Sequence, residues 1–222
     1  APGGMVVVHA ADELRGTLTQ LVPKFEEAFP GARVALEYGD GTEHARHIRD
    51  GAPVDVFVSA DAATSSLVTT GHVRGKPVVV ARNPIVIAVP GSTRKIAGVA
   101  DLAGARLALC AETTPCGRAG RAALSAAAVD VRPASSEADP PAALTRVRAG
   151  AADAAIVHRT DVVAAGDGLR AVDFTEALRM ADEYTAVRVT TGINKVGADA
   201  FVGFLGSALA THVFADAGLS PT

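Results

Sequence analysis

The residues with the clearest chemical potential are two neighbouring acids near the start of the chain, Asp12 and Glu13. They follow a short apolar strand that ends at residues 10–11, and they precede apolar residues in helical spacing from Leu14 to Phe25. At such a strand-to-helix turn the first helical N–H groups lack backbone acceptors, so the turn suits an anion. Asp12 also suits the N-cap position of the helix. Two carboxylates at a turn that suits an anion would repel that anion.

A second group of side chains is spread along the chain and contains potential metal ligands. It comprises His9, Glu13, Asp40, Cys116, His158 and Tyr184. No H-x-x-x-H or C-x-x-C spacing accompanies them, so a cation site built on Glu13, Asp40, His158 and Tyr184 is the alternative to an anion site. Cys116 and His158 have the chemistry of a nucleophile and its base, but no orienting residue matches them. We therefore expect no enzyme.

The composition is that of an ordinary globular protein of 222 residues, enough for one large domain or two small lobes. A net charge of −3 and only 4% aromatic residues give no basis for a nucleic-acid partner. No apolar run approaches about 18 residues, so no membrane span is predicted. The first residues, Ala-Pro-Gly-Gly, do not resemble a signal peptide. The protein is therefore expected either to be cytoplasmic or to have lost a leader.

Short apolar strands alternate with helical patterns along the chain, which predicts an α/β protein. The predicted strands cover 33–38, 54–58, 106–110, 129–131, 154–158 and 169–173. Helices are predicted after Thr42, after Asp61, from Pro115, from Pro140, after Thr160 or Asp161, and around Phe201.

Two long apolar stretches interrupt this alternation, at 78–89 and 183–189. Each is interpreted as a crossing between lobes, because the first is too long for one strand of a small sheet. The predicted lobes are 1–83 with 185–222, and 84–184, each with a mostly parallel sheet.

The segment Gly51-Ala-Pro-Val-Asp-Val-Phe-Val-Ser-Ala-Asp61 resembles a signature of the molybdate-binding proteins of bacterial ABC importers. Supporting segments follow in the family's order: Ala81-Arg-Asn83, Glu112-Thr-Thr-Pro-Cys-Gly-Arg118, Ala154-Ala-Ile-Val-His-Arg-Thr-Asp161 and Tyr184. The resemblance extends over almost the whole chain.

This resemblance implies a two-lobed periplasmic-binding-protein fold of type II, joined by two hinge strands and closing on a small ligand. The implied ligand is an oxyanion, molybdate or tungstate, which is handed to a membrane ABC permease without covalent chemistry or a cofactor. It also implies a monomer outside the cytoplasm, in the periplasm or at the cell surface, after removal of a signal peptide, with lipid anchoring left open.

This chain resembles the family's binding site at some positions only. The serine hydroxyls of the family correspond here to Glu13, beside Asp12, and to Asp40-Gly41. The backbone amides that bind the oxyanion correspond to Cys116 and Val157, and the tyrosine hydroxyl corresponds to Tyr184. His158 stands where the family often has tyrosine. Backbone amides survive such substitutions because every residue except proline supplies one.

Replacing a serine by an ionised carboxylate is a large electrostatic change. A carboxylate about 4 Å from a unit negative charge costs roughly 4 kcal/mol at an effective dielectric near 20. A helix N-terminus stabilises a nearby negative charge by only about 0.3–2 kcal/mol. Glu13 is therefore expected to be protonated, turned away, bonded to the metal centre of the oxyanion, or paired with Arg15, Arg46 or Arg118.

The chain has two cysteines, Cys110 and Cys116, six positions apart around the turn that is expected to donate an amide. In an exported protein this even count predicts a disulfide that closes the turn, and two unrelated thiols are the alternative. The bridge requires Cα atoms within about 7 Å.

Several other polar residues have structural interpretations. Asp55 and Asp61 are expected to serve as turn and cap residues. His44, His47, His72 and His212 lie on polar faces or at ends of predicted elements and are expected to be solvated.

Overall fold

A computed structural model describes the backbone of residues 1–222 and all side chains except those of residues 69 and 70. The strands are β1 Gly4–Ala11, β2 Ala32–Gly39, β3 Val56–Ser59, β4 Val73–Asn83, β5 Ile85–Pro90, β6 Leu107–Cys110, β7 Pro133–Glu137, β8 Ala154–His158, β9 Leu169–Val172 and β10 Asp182–Val189. The α-helices are α1 Arg15–Ala28, α2 Gly41–Arg49, α3 Ala62–Ser66, α4 Thr69–His72, α5 Pro115–Ala126, α6 Pro140–Arg148, α7 Arg159–Ala165, α8 Thr175–Arg179, α9 Lys195–Leu205 and α10 Ala208–Asp216. Short 3₁₀ turns cover Asp12–Leu14 and Val99–Leu102.

The chain divides into two compact units. Unit 1 is Ala1–Arg82 with Asp182–Thr222, and unit 2 is Asn83–Ala181. The second passage between the units falls at 181–182, three residues earlier than the boundary expected from the sequence, so Tyr184 belongs to unit 1.

Unit 1 is built on a five-stranded sheet of order β2-β1-β3-β10-β4. Strand β1 pairs in parallel with β2 and β3, and β10 runs antiparallel to β3. On one face Val6, Val8 and Ala10 are wholly buried in a core that includes Phe25 of α1 and Phe201 of α9. On α2, Ala45 and Ile48 belong to a second buried cluster with Phe57 and Val187. Alternation along the strands therefore gives both faces of this sheet an apolar cover.

Unit 2 repeats the arrangement with a sheet of order β7-β6-β8-β5-β9. Strands β7 and β8 are parallel to β6, whereas β5 is antiparallel to both β8 and β9. Four of its five strands thus share one direction, and β5 alone opposes them. The alternating residues of β5 and β8 enter two separate cores, one with α5 and one with α6. The prediction of an α/β chain is confirmed.

The strand expected at 129–131 is absent, and β7 lies at Pro133–Glu137 instead. Ala128 has a φ of 54°, which places a left-handed turn directly before Val129. Val129 and Val131 pack against the unit 2 core without joining the sheet.

Three helix starts also differ from expectation. Asp40, not Thr42, caps α2, because its carboxylate accepts the Glu43 N–H at 2.9 Å. His158 is the N-cap residue of α7, and its N–H donates to Asp161 at 3.0 Å. Asp12 lies in a 3₁₀ turn, and Leu14 occupies the N-cap position of α1.

Among the described helices, none taken singly has the length and apolarity to cross a membrane. The pair α9 and α10, bent by 58° at their junction, meets those two criteria only when taken together.

Candidate functional site

The turn after β1 carries the two acids singled out in the sequence. The Asp12 carboxylate accepts a hydrogen bond from the Arg15 guanidinium at 2.7 Å and does not cap the helix, so the cap interpretation of Asp12 is wrong. The Arg15 guanidinium also lies over the Tyr38 ring, 4.4 Å from its centroid. Asp12 is therefore neutralised locally by an arginine held on an aromatic face.

Glu13 is exposed beside this pair. The three arginines considered as its partners are engaged elsewhere: Arg15 with Asp12, Arg46 with Asp50 at 3.4 Å, and Arg118 with the Thr113 carbonyl at 2.7 Å. Glu13 thus stands as an exposed carboxylate at the 3₁₀ turn that leads into α1.

The turn after β2 places Asp40 and Gly41 at the start of α2. The Asp40 carboxylate is used as the helix cap. A Cβ at Gly41 would come within 2.8 Å of the Thr64 methyl group, so the backbone at this turn packs tightly against α3. A side chain at position 41 would disturb this contact.

Tyr184 lies in β10 and is 3% exposed. It belongs to the core cluster of unit 1 that contains Val8, Val58 and Ala186. Its ring is therefore a core element of unit 1, whatever further role its hydroxyl has.

In unit 2, Cys116 occupies the second position of α5. Pro115 has no N–H, the Gly117 N–H donates to the Thr114 hydroxyl at 3.0 Å, and the Arg118 N–H donates to the Thr114 carbonyl at 3.0 Å. Among the described residues, no acceptor takes the Cys116 N–H. One amide at the positive end of α5 is thus left for an external acceptor.

The predicted bridge between Cys110 and Cys116 is confirmed, with a Cα–Cα distance of 5.8 Å. It joins the last residue of β6 to the first turn of α5 and fixes that turn against the sheet. A Cβ at Gly117 would lie 2.0 Å from the Ala111 carbonyl oxygen, so only glycine fits this close approach.

Val157 and His158 form the end of β8, next to the first turn of α5. The Cys116 sulfur is 3.6 Å from the Ile156 carbonyl oxygen, which brings the start of α5 to this strand end. Pairing of β8 with β6 stops at Ile156, whereas pairing with β5 continues to His158. Burial raises the pKa of Asp161, against the opposing effect of nearby His158. Unit 2 therefore brings together Cys116, Val157 and His158.

Two acids of the sequence signature are structural, as predicted. Asp55 is 1% exposed and accepts the N–H groups of Val7 and Asn194, each at 2.8 Å. Asp61 caps α3 by accepting the Thr64 N–H at 2.6 Å. The signature segment thus ties β1, the start of α9 and α3 to the sheet of unit 1.

The alternative cation set is not the cluster that unit 1 assembles. In the described part of the chain, the cluster of three His, Cys, Asp or Glu residues with converging donor atoms is His9, Glu37 and His44. His44 is 3% exposed, so the expectation that it is solvated is wrong. The missed signal was its place beside Ala45 and one turn before Ile48, on the apolar face of a helix.

Comparison with known proteins places the chain among solute-binding proteins. The model of the family described as bacterial extracellular solute-binding protein matches residues 6–220. The molybdate-binding protein ModA of Mycobacterium tuberculosis is 30% identical over 219 residues, which cover 97% of this chain and 84% of that protein.

Two solved structures share the fold over 98% of this chain and 99% of their own chains. The substrate-binding domain of a putative molybdenum ABC transporter from Clostridium difficile has a TM-score of 0.89 at 19% identity. The periplasmic molybdate-binding protein of Azotobacter vinelandii has a TM-score of 0.67 at 22% identity. The expected periplasmic-binding-protein fold is confirmed by these likenesses.

Proposed function

Because the chain belongs to the family of bacterial extracellular solute-binding proteins, we propose that it captures an oxyanion, molybdate or tungstate, for a membrane ABC permease. Proteins of this family bind solutes outside the cytoplasm and are not enzymes. The ligand, the permease partner and a monomeric state are our proposals from this membership and from the ModA likeness.

The observation that carries the proposal is the Cys116 N–H at the start of α5. A helix N-terminus attracts negative charge, and an amide already held by its neighbours loses little entropy when it donates to an oxyanion. Thr114 supplies a neutral cap that uses the amide of Gly117 and leaves that of Cys116. The disulfide fixes the same turn before any ligand arrives.

We further propose Val157 and Tyr184 as additional donors to the oxyanion. The end of β8 already lies beside Cys116 in unit 2, which supports the Val157 amide. Tyr184 has a rigid, buried ring, which supports a fixed direction for its hydroxyl. Each would be an uncharged donor. Such donors suit an anion that must later be released, because they do not neutralise its charge.

Asp12, Glu13, Asp40 and Gly41 are the proposed ligand-facing positions of unit 1. Asp12 and Asp40 are already engaged, by Arg15 and by the α2 backbone. Glu13 is therefore the carboxylate with the greatest freedom to oppose a bound anion, and it is expected to weaken oxyanion binding and to restrict which anions bind.

Titration calorimetry of the full chain with molybdate, tungstate, sulfate and phosphate tests the proposal, with the disulfide kept oxidised. We expect one oxyanion per chain, with molybdate and tungstate bound more tightly than the two smaller anions. If the chain binds none of the four anions under conditions where its unfolding remains cooperative, the proposal is contradicted. Size-exclusion chromatography with light scattering tests whether the protein is a monomer in solution.

A further inference from the structure

Unit 1 contains a polar cluster that the oxyanion proposal does not use, formed by His9, Glu37 and His44. His9 in β1 lies directly opposite Glu37 in β2 in the parallel register. His44 in α2 covers them, and its ring centroid is 4.6 Å from that of His9. Ligand atoms of the three side chains all lie within 4.8 Å of one another.

The two imidazoles are buried without enough partners. His9 is 8% exposed and His44 is 3% exposed. By strict hydrogen-bond geometry, His9 Nδ1 and both ring nitrogens of His44 lack partners among the described residues, and the Ala10 backbone supplies only a looser contact to His44. Buried polar atoms are nearly always satisfied in folded proteins, so the poorly satisfied ring of His44 indicates a group that completes the cluster, and one metal ion would take one nitrogen of that ring.

The spacing fits a small ion with short bonds. His9 Nε2 is 3.4 Å from Glu37 Oε2. Two ligands of a tetrahedral zinc ion, each about 2.0–2.1 Å from the metal, are about 3.4 Å apart. A Cβ at Gly39 would lie 3.0 Å from His44 Nε2, so the ring is already closely packed against β2. The Glu37 side chain is 64% exposed and leaves a route for the ion.

We propose that His9, Glu37 and His44 bind one divalent transition-metal ion, with Zn²⁺ as the best match. Two imidazoles and one carboxylate are a common zinc ligand set, and three protein ligands leave a fourth position for water or an exogenous group. The ion would clamp α2 onto β1 and β2. The proposal is independent of the oxyanion ligand.

The test is zinc titration of the full chain without a histidine tag, after chelator treatment and without thiol reductants. We expect one Zn²⁺ per chain and a rise of about 5–10 °C in the unfolding midpoint at a hundredfold excess over Kd. Glu37→Gln, at an exposed position, and His44→Gln should each weaken zinc binding at least tenfold.

The matched control is His212→Gln. His212 and Asp216 form an exposed histidine–carboxylate pair on α10, with the two atoms 3.4 Å apart. The control should bind zinc as the wild type does. The proposal is overturned if no zinc binds, or if Glu37→Gln retains wild-type affinity. It is equally overturned if only His212→Gln loses binding. Circular dichroism of each variant separates lost ligation from lost folding, and Glu37→Gln decides the matter if His44→Gln unfolds.

Discussion

The helices α2 and α5 both follow a parallel strand, but they begin with opposite chemistry. The cap of α2 is the carboxylate of Asp40, and the cap of α5 is the hydroxyl of Thr114. Each cap accepts a backbone N–H of the first turn, at 2.9 and 3.0 Å. The two helices are therefore capped equally well and differ in the charge that they present.

The two caps therefore stabilise their helices to a similar extent but differ in how strongly the helix start attracts an anion. A carboxylate cap accepts a backbone N–H and also places a negative charge at the positive end of the helix. The attraction of that end for an external anion is therefore weaker. A neutral cap satisfies one amide and leaves the positive end of the helix available. In the function that we propose, unit 2 supplies the oxyanion donors and unit 1 supplies the charge that opposes the anion.

The largest effect is expected from removing the exposed carboxylate of unit 1. Glu13→Ser should increase molybdate affinity by about 1–4 kcal/mol, or roughly fivefold to a thousandfold, because repulsion at about 4 Å falls in this range between water and a dielectric near 20. Calorimetry measures the change. Glu27→Ser is the control, since it removes the same charge about 20 Å further along α1. Equal affinities of wild type and Glu13→Ser would show that Glu13 does not face the anion.

The second effect is on unit 2, where the disulfide holds the α5 start. Replacing both Cys110 and Cys116 by alanine should lower the free energy of unfolding by about 2 kcal/mol, because the loop it closes is short. The midpoint should fall by about 4–8 °C. Ser125→Ala, on the exposed side of α5, is the control. Since alanine retains the N–H at position 116, a parallel loss of oxyanion affinity would come from loosening of the turn. An unchanged midpoint would mean that the bridge adds no stability.

Much of the fold was predictable because apolar residues alternate clearly with turn residues. Strand β8 and the start of α5 fall where the pattern predicts them. Strand β7 was not predictable, since Pro-Ala-Ser-Ser-Glu has no apolar alternation and becomes a strand only by pairing with β6 at the sheet edge. Propensity cannot report such a tertiary pairing.

The candidate site was predictable in part for the same physical reason. The bridge between Cys110 and Cys116 and the cap at Asp61 depend on local spacing, and the structure confirms them. The structural role of Asp55 is also confirmed, but its partners Val7 and Asn194 are distant in the sequence. The convergence of His9 with Glu37 and His44 depends on strand register and on how α2 lies over the sheet. Neither is encoded in any short segment.

A third and smaller effect is expected from exchanging the caps. Asp40→Ser should raise oxyanion affinity and Thr114→Asp should lower it, each by about threefold to tenfold, because one charge changes at a helix start while a capping oxygen remains. Unfolding free energies should stay within about 0.5 kcal/mol. Asp139→Ser is the control, because Asp139 caps α6 in the same way, at 2.8 Å from the Ala142 nitrogen. Changes of the same sign in both variants would contradict the contrast between α2 and α5.

The smallest effect concerns acid stability and the buried histidines of unit 1. Because burial lowers the folded-state pKa of His9 and His44 below 6.5, the unfolded chain binds more protons as the pH falls. Their contribution to stability is therefore complete above about pH 6.5 and is lost as the pH falls through the lowered folded-state values. Glu37 raises both pKa values and so limits the effect. Urea unfolding of chelator-treated protein at about pH 7.5 and pH 5.5 should show less stability at the lower pH. His44→Gln should reduce this difference, whereas His212→Gln, which removes an exposed imidazole, should not. If the difference is the same in all three proteins, these buried histidines do not set the acid sensitivity of the chain.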